Sequence, residues 1–256
     1  MRAIITGAAT GIGAETVKKL KAKGYEVTAF DIVKPANVDT WIKLDMSDPA
    51  AIDAALGQID GKYDSLINNA GLPPREGLTK TVLSVNYFGL VQLTLGLEGK
   101  LKKGGQIVNT ASRAGAAWAD NIEQVKALMA LSCVDDLDDF IGAHELNHVR
   151  AYNLSKEAVI VWGMANTERL IAKDLRVNSV SPAAVSTGIL DDFATAFGER
   201  MAKNVARVGR PSQPEEVADV IMFLLSPESH WIKGIDITID GGMSALATSD
   251  RLALGD

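Results

Sequence analysis

Tyr152 and Lys156 stand four residues apart in the stretch Tyr152-Asn-Leu-Ser-Lys156. In a helix, residues i and i+4 share a face, so the phenol and the ammonium can approach one another. A nearby cation favours the phenolate and is expected to draw the tyrosine below its ordinary pKa of about 10. A phenol tuned in this way can exchange a proton with an alcohol or ketone oxygen. Taken alone, the pair is also what an ordinary amphipathic helix surface presents.

A second group of residues suits an anion. Residues 4–13 read Ile-Ile-Thr-Gly-Ala-Ala-Thr-Gly-Ile-Gly, an apolar strand running into Gly7, Gly11 and Gly13, and a helical pattern follows at once. Such a strand–turn–helix unit gathers free backbone N–H groups and the positive end of a helix in one place, which suits a pyrophosphate. Glycines serve there because a Cβ would hold the phosphates away and obstruct the turn. The next apolar run, Glu26–Asp31, ends in a carboxylate. Asp31 follows Gly13 at close to the ~20-residue spacing of an acid that binds the adenosine ribose hydroxyls. Its charge would repel a 2′-phosphate, which favours NAD over NADP.

The elements that must position these groups alternate between strand and helix. Strands are expected at 2–6, 25–31, 41–44, 63–67, 105–110, 174–180 and 235–239. Helices are expected at Pro49–Leu56, Leu78–Leu97, Ala151–Ala172 and Pro214–Leu225, with Ser212 as a cap for the last. This alternation predicts an α/β fold: a doubly wound, Rossmann-like parallel sheet of about seven strands with helices on both faces. Ligands of such sheets sit beyond the C-terminal strand ends.

The 256 residues are 47% apolar, with no linker or composition break, which predicts one domain over 1–256. A net charge of −6 without a basic run argues against a nucleic-acid surface. No segment reads as a signal peptide or a membrane span. The single Cys133 excludes an internal disulfide and suits a reducing cytoplasm.

Taken together, Thr6-Gly-Ala-Ala-Thr-Gly-Ile-Gly13 and Tyr152-x-x-x-Lys156 resemble the classical short-chain dehydrogenase/reductase family. Asn68-Asn-Ala-Gly71, Ser84-Val-Asn86, Ile107-Val-Asn-Thr-Ala-Ser112, Pro182–Thr187, Gly209-Arg-Pro211 and Asp240-Gly-Gly242 match its further motifs in order. The resemblance implies Tyr152 as general acid/base and Lys156 as its partner, which also holds the nicotinamide ribose. It implies Ser112 on the substrate oxygen and Asn86 on a water of the proton relay. For the cofactor it implies Gly7, Thr10, Gly11, Ile12, Gly13 and Asp31, then Asp45, Asn69, Ala70 and Gly71 near the adenosine. Pro182 and Thr187 complete the set, Thr187 toward the carboxamide.

Two departures matter. Pro182-Ala183 replaces the usual Pro-Gly, and alanine would be strained if that backbone needed a positive φ. The Ser112–Tyr152 spacing is also longer than usual, which places an insertion at about 116–148. Its apolar residues, Trp118 among them, are expected either to roof the substrate site or to make a subunit contact. A helical insertion here, with Ser84-Val-Asn-Tyr-Phe-Gly89 and Leu101-Lys-Lys-Gly104, resembles the bacterial 3α-hydroxysteroid dehydrogenase/carbonyl reductase branch, and so implies bulky apolar substrates.

Within the insertion, His144-Glu-Leu-Asn-His148 matches the H-E-x-x-H zinc motif, but no third ligand stands at a recognised spacing, so no metal is expected. Asp135–Asp139 lacks a calcium-loop pattern and reads as a solvated face. A tail is expected at about 243–256. The resulting expectation is an NAD-dependent alcohol dehydrogenase/carbonyl reductase, a cytoplasmic homodimer or homotetramer. The competing reading is a non-catalytic dinucleotide sensor or scaffold.

Overall fold

The computed structural model describes residues 1–254. Seven strands form one parallel sheet: β1 (Arg2–Thr6), β2 (Glu26–Asp31), β3 (Thr40–Lys43), β4 (Tyr63–Asn68), β5 (Leu101–Thr110), β6 (Arg176–Pro182) and β7 (Asp236–Ile239). Their order is β3-β2-β1-β4-β5-β6-β7. The chain winds outward from β1 in one direction, then returns to the other side of β1 with β4. Loops leaving β1 and β4 therefore diverge and open a crevice above their ends, where such sheets bind ligands.

Strand length and composition follow position in the sheet. Every residue of β6 is buried, as are all but one of β4, because helices cover both faces. The edge strands β3 and β7 have four residues each and are largely exposed or half-buried. Helices α1 (Gly11–Ala22) and α9 (Pro214–Leu225) pack together over one face, around Val17, Leu20, Val217 and Ile221. The other face carries α2 (Pro49–Leu56), α3 (Thr79–Leu83), α4 (Leu90–Leu97) and α7 (His148–Ile171). Between α3 and α4, Ser84–Gly89 forms a π-helical segment within the helix expected over Leu78–Leu97.

The insertion folds as α5 (Ile122–Met129) and α6 (Leu137–Ala143). Both pack on other helices of the chain, while Ala116, Ala117 and Asn121, ahead of α5, line the cavity beside Ser112. Helix α5 packs on α7, and α6 packs on α3. Val125, Leu128 and Leu137 are fully buried within the same core as Leu83 and Leu93, and Trp118 packs against it. The apolar pattern correctly marked these residues for burial, but their surroundings are the helical layer itself.

Three local expectations are corrected. Ser212 does not cap α9: Gln213 occupies that position, its N–H donating to Glu216 Oε2 at 2.7 Å, while Ser212 bridges to Val185. Ala183 is not among the described residues with positive φ, so it carries no such strain; its N–H extends the sheet by donating to Ile239 O. Two helices went unanticipated, α8 (Leu190–Val208) and α10 (Met243–Leu252), the latter within the expected tail, whose last two positions lie outside the described residues.

If the insertion is core, Leu128→Ala should lower unfolding free energy by about 3 kcal/mol in urea titration, as a fully buried leucine does elsewhere. A loss below about 1 kcal/mol would mark the insertion as an appended flap.

Candidate active site

The turn after β1 is shaped by contacts that only glycine permits. Gly7 and Gly11 have φ of +65° and +56°. A Cβ on Gly7 would lie 2.7 Å from Ala70 Cα, and one on Gly13 would strike Gly7 O and approach Asn69 Nδ2 at 2.7 Å. The turn is tied to the loop after β4: Thr6 Oγ1 accepts from the N–H groups of Asn69 and Ala70, and Asn69 Nδ2 donates to Gly7 O. Thr10 caps α1 without a side-chain hydrogen bond, and no acidic residue lies in the first turn. The N-terminal amides of α1 thus retain capacity for an anion. Ile12 turns its side chain to the core, and Thr187 lies over Gly11, whose added Cβ would meet Thr187 Cγ2 at 3.0 Å. Pro182, ending β6, leads into the Thr187 loop.

Asp31 closes the turn's other side. Its Oδ2 accepts from Ala9 N at 2.9 Å and its Oδ1 from Val33 N at 3.0 Å, which fixes the carboxylate beside the glycine turn. Asp45 is exposed beyond β3, next to β2, with Oδ1 accepting from Ser47 N and Oγ.

The residues singled out for chemistry meet at the ends of β4 and β5. Lys156 is buried, and its ammonium donates to Thr110 O at 2.9 Å. A Cβ on Gly71 would stand 3.4 Å from Lys156 Nζ and 3.2 Å from Asn86 Oδ1. Asn86 lies in the π-helical segment, a local widening that recurs at functional sites. Its carboxamide is engaged inside the fold: Oδ1 accepts from Leu72 N at 2.8 Å, and Nδ2 donates to Leu72 O and Ser155 Oγ. Lys156 Nζ is 5.9 Å from the centroid of the Tyr152 ring.

The electrostatics reverse one expectation. The Tyr152 phenol is pushed up to about 12 by burial, with the Ser112 hydroxyl donating to it and pulling the other way. Phe193 and Phe197 of α8 lie edge-on to the ring at 5.3 and 6.4 Å and help exclude water. Burial also pushes Lys156 down to about 8. Desolvation of both groups outweighs the attraction that i,i+4 spacing alone suggests.

Ser112, whose Oγ also accepts from Ala114 N, borders a cavity of about 300 Å³. Its walls come from the segment after β5 as far as Asn121, from Ala183 and Ala184 after β6, and from α7, α8 and the start of α10, including Phe193, Phe197 and Met201. Trp118 does not line it. Sequence reasoning missed these α8 residues, although Phe193 and Phe197 repeat at i, i+4.

The H-E-x-x-H residues do not share a helix. His144 ends α6, Glu145 has φ of +49°, and Asn147 caps a new helix that starts at His148. Among the described residues no group of three His, Cys, Asp or Glu could hold a metal ion.

Residues 1–122 match the family profile described as short chain dehydrogenase, and 139–244 match one described as Enoyl-(Acyl carrier protein) reductase. A coniferyl-alcohol dehydrogenase from a Pseudomonas species is 35% identical over 94% of this chain and 96% of its own. The chain belongs to the short-chain dehydrogenase/reductase family. It is 32% identical to the 3-alpha-hydroxysteroid dehydrogenase/carbonyl reductase of Comamonas testosteroni, over 95% and 96% of the two chains. A Pseudomonas 3-alpha-hydroxysteroid dehydrogenase solved with NADH superposes with a TM-score of 0.85 at 30% identity, covering 97% of this chain and 99% of that one. As a short-chain dehydrogenase the protein is an oxidoreductase of the alcohol dehydrogenase type, built to bind a nicotinamide dinucleotide. Among its described residues no helix is long and apolar enough to cross a membrane.

The depressed Lys156 has a consequence for stability. The unfolded chain holds this proton up to the ordinary lysine pKa of about 10.5, the folded protein only to about 8. Stability of the cofactor-free protein should therefore rise with pH across that window. Between pH 7.5 and 10.5 the melting temperature of wild type should rise relative to that of Lys156→Met. A parallel offset at every pH would mean that Lys156 titrates normally.

Proposed function

We propose that the protein interconverts a secondary alcohol and a ketone by hydride transfer, with NAD(H) as its preferred dinucleotide. The observation that carries this reading is the convergence of Tyr152, Ser112, Lys156 and Asn86 in a fold whose glycine turn leads to a helix terminus free of any side-chain cap bond. The cradle suits the cofactor: Gly7 and Gly13 let the turn close tightly on itself and on the β4 loop, and the amides of α1 are open to a pyrophosphate. Thr10, Gly11, Ile12 and Gly13 would hold the phosphates. Asp31 would take the adenosine ribose hydroxyls, and Asp45, Asn69, Ala70 and Gly71 would border the adenosine. Pro182 and Thr187 would border the nicotinamide.

When bound, the nicotinamide supplies or accepts the hydride. Tyr152 holds the proton at its phenol oxygen and delivers it to the substrate oxygen as a carbonyl becomes an alcohol. Its high pKa keeps it protonated for that direction at neutral pH. Ser112 donates to and orients the same oxygen. Lys156 keeps two ammonium protons beyond its bond to Thr110 O, and these are available to ribose hydroxyls. Asn86 acts as a positioning residue, holding Leu72 and Gly71 against Lys156. Phe193, Phe197 and Met201 favour aryl, alicyclic or steroid substrates over small polar ones, a reading that the names of the coniferyl-alcohol and hydroxysteroid relatives support.

A homodimer or homotetramer belongs to the same reading, supported by exposed Phe223 and Trp231 and by exposed Ile235 next to the edge strand β7. So does a cytoplasmic location, which suits the free, exposed Cys133.

Cofactor oxidation measured with a panel of such ketones tests the proposal. NADH should exceed NADPH at least about tenfold in kcat/KM, because the Asp31 carboxylate repels a 2′-phosphate. Asp31→Ala should narrow the gap mainly by improving NADPH. Equal use of NADPH by the wild type would contradict the role of Asp31, and no turnover of any ketone would contradict the reaction.

A further inference from the structure

The cavity beside Ser112 has three arginines in its wall, Arg113, Arg150 and Arg200, and one acid, Glu157. Arg150 and Glu157 neutralise each other. They are joined through both terminal nitrogens of the guanidinium, at 2.8 and 2.7 Å, and Asn121 Nδ2 donates to Glu157 at 2.9 Å. Arg200 is exposed, and its guanidinium has no ion pair or hydrogen bond among the described residues. Arg113 is half-buried. Its Nε donates to Ser244 Oγ at 3.2 Å and faces Asp240 Oδ2 at 3.4 Å. Its two terminal nitrogens donate to nothing among the described residues, and neither is one of the buried atoms left without a partner. Both therefore reach open space.

The wall thus carries a surplus of positive charge, although the chain as a whole stands at −6. Asp240 offsets part of it from outside the wall, but its oxygens already accept from Gly242 N at 2.9 Å and Ser244 N at 2.7 Å. Arg200 stays unmatched. The sequence explains the placement. Ser112 is extended, so Arg113 leaves the chain on the opposite side and reaches toward the start of α10. On α8, Phe193 and Phe197 stand against Tyr152, while Arg200 and Asn204 continue the wall further along the chain. One end of the helix offers apolar surface and the other a cation.

We propose that this pocket takes an aryl ketone or alcohol bearing a carboxylate away from the reacting carbon, and that Arg113 selects it. The assignment rests on the alcohol–ketone reading above. The two oxygens of a carboxylate match the paired terminal N–H groups of a guanidinium. Arg200 adds attraction at longer range. An ammonium substituent would face three arginines and an acid that is already paired. A neutral substituent gains nothing from the surplus charge. Phe193 and Phe197 are parallel within 6°, with centroids 6.3 Å apart, and present flat apolar surface to the same space. A volume of about 300 Å³ stands at the lower end for ligand pockets and fits one ring better than four fused ones.

The test compares 3- and 4-acetylbenzoate with their methyl esters. Dissociation constants are measured on the NAD⁺ complex, in which no ketone can be reduced, and kcat/KM is measured separately with NADH. For at least one acid–ester pair, wild type should bind the acid about tenfold more tightly, and added salt should shrink that ratio. Arg113→Gln should bring the ratio close to one, Arg113→Lys should retain part of it, and Arg200→Gln should lower it about threefold. If Arg113→Gln only disturbs Asp240 and the start of α10, acid and ester weaken together and the ratio stands. That result, or ratios near one for both pairs in the wild type, overturns the assignment. An Arg113-dependent binding ratio without NADH turnover supports the assignment and counts against the proposed reaction alone.

Discussion

An ammonium group inside a protein is costly unless its surroundings replace the water it has lost. Lys156 is 4% exposed and has one protein acceptor among the described residues, Thr110 O. That carbonyl is available because β5 ends there, at the C-terminal edge of the sheet. Gly71 leaves room for the ammonium by having no Cβ, and Asn86 pins the segment beside it from within a π-helical turn. The twenty-four residues of α7 keep Lys156 and Tyr152 in fixed relation, anchored by Leu154, Ala158 and Val159 in the core. Sheet end, loop, π segment and helix thus converge on one buried charge, and burial pushes it down to about 8.

The same economy links the two loops at the crevice. A single hydroxyl, Thr6 Oγ1, receives the N–H groups of both Asn69 and Ala70, while Asp31 receives that of Ala9. The β1 turn, the β2 end and the β4 loop therefore form one hydrogen-bonded rim. A rim built this way holds its donors in place before a ligand arrives, which is how fixed dipoles become effective in binding and catalysis.

What the sequence made legible was periodic or punctuated. Strand β1 read as an apolar run, and both its faces are covered. The glycine turn and Asp31 were legible because spacing along a strand–turn–helix unit is nearly rigid. Burial depth was not legible. The four-residue spacing of Tyr152 and Lys156 showed a cation near a phenol, but not that Phe193 and Phe197 would close over the ring and raise its pKa. Helix α8 escaped notice because none of its residues is fully buried, so its apolar stripe resembles a surface helix. For the insertion, apolar periodicity predicted burial but could not name what lay opposite. The H-E-x-x-H match failed for a backbone reason, the left-handed turn at Glu145 that separates its histidines.

The central claim is that Tyr152 carries the proton while the rest of the site only holds and orients. Replacing it with phenylalanine removes one oxygen and leaves ring, packing and dinucleotide cradle in place. Ketone reduction by Tyr152→Phe, followed by steady-state NADH oxidation, should fall about 10³-fold in kcat, while NADH binding measured by fluorescence titration stays within about twofold of wild type. A kcat close to the wild-type value, with NADH still bound, would contradict the account.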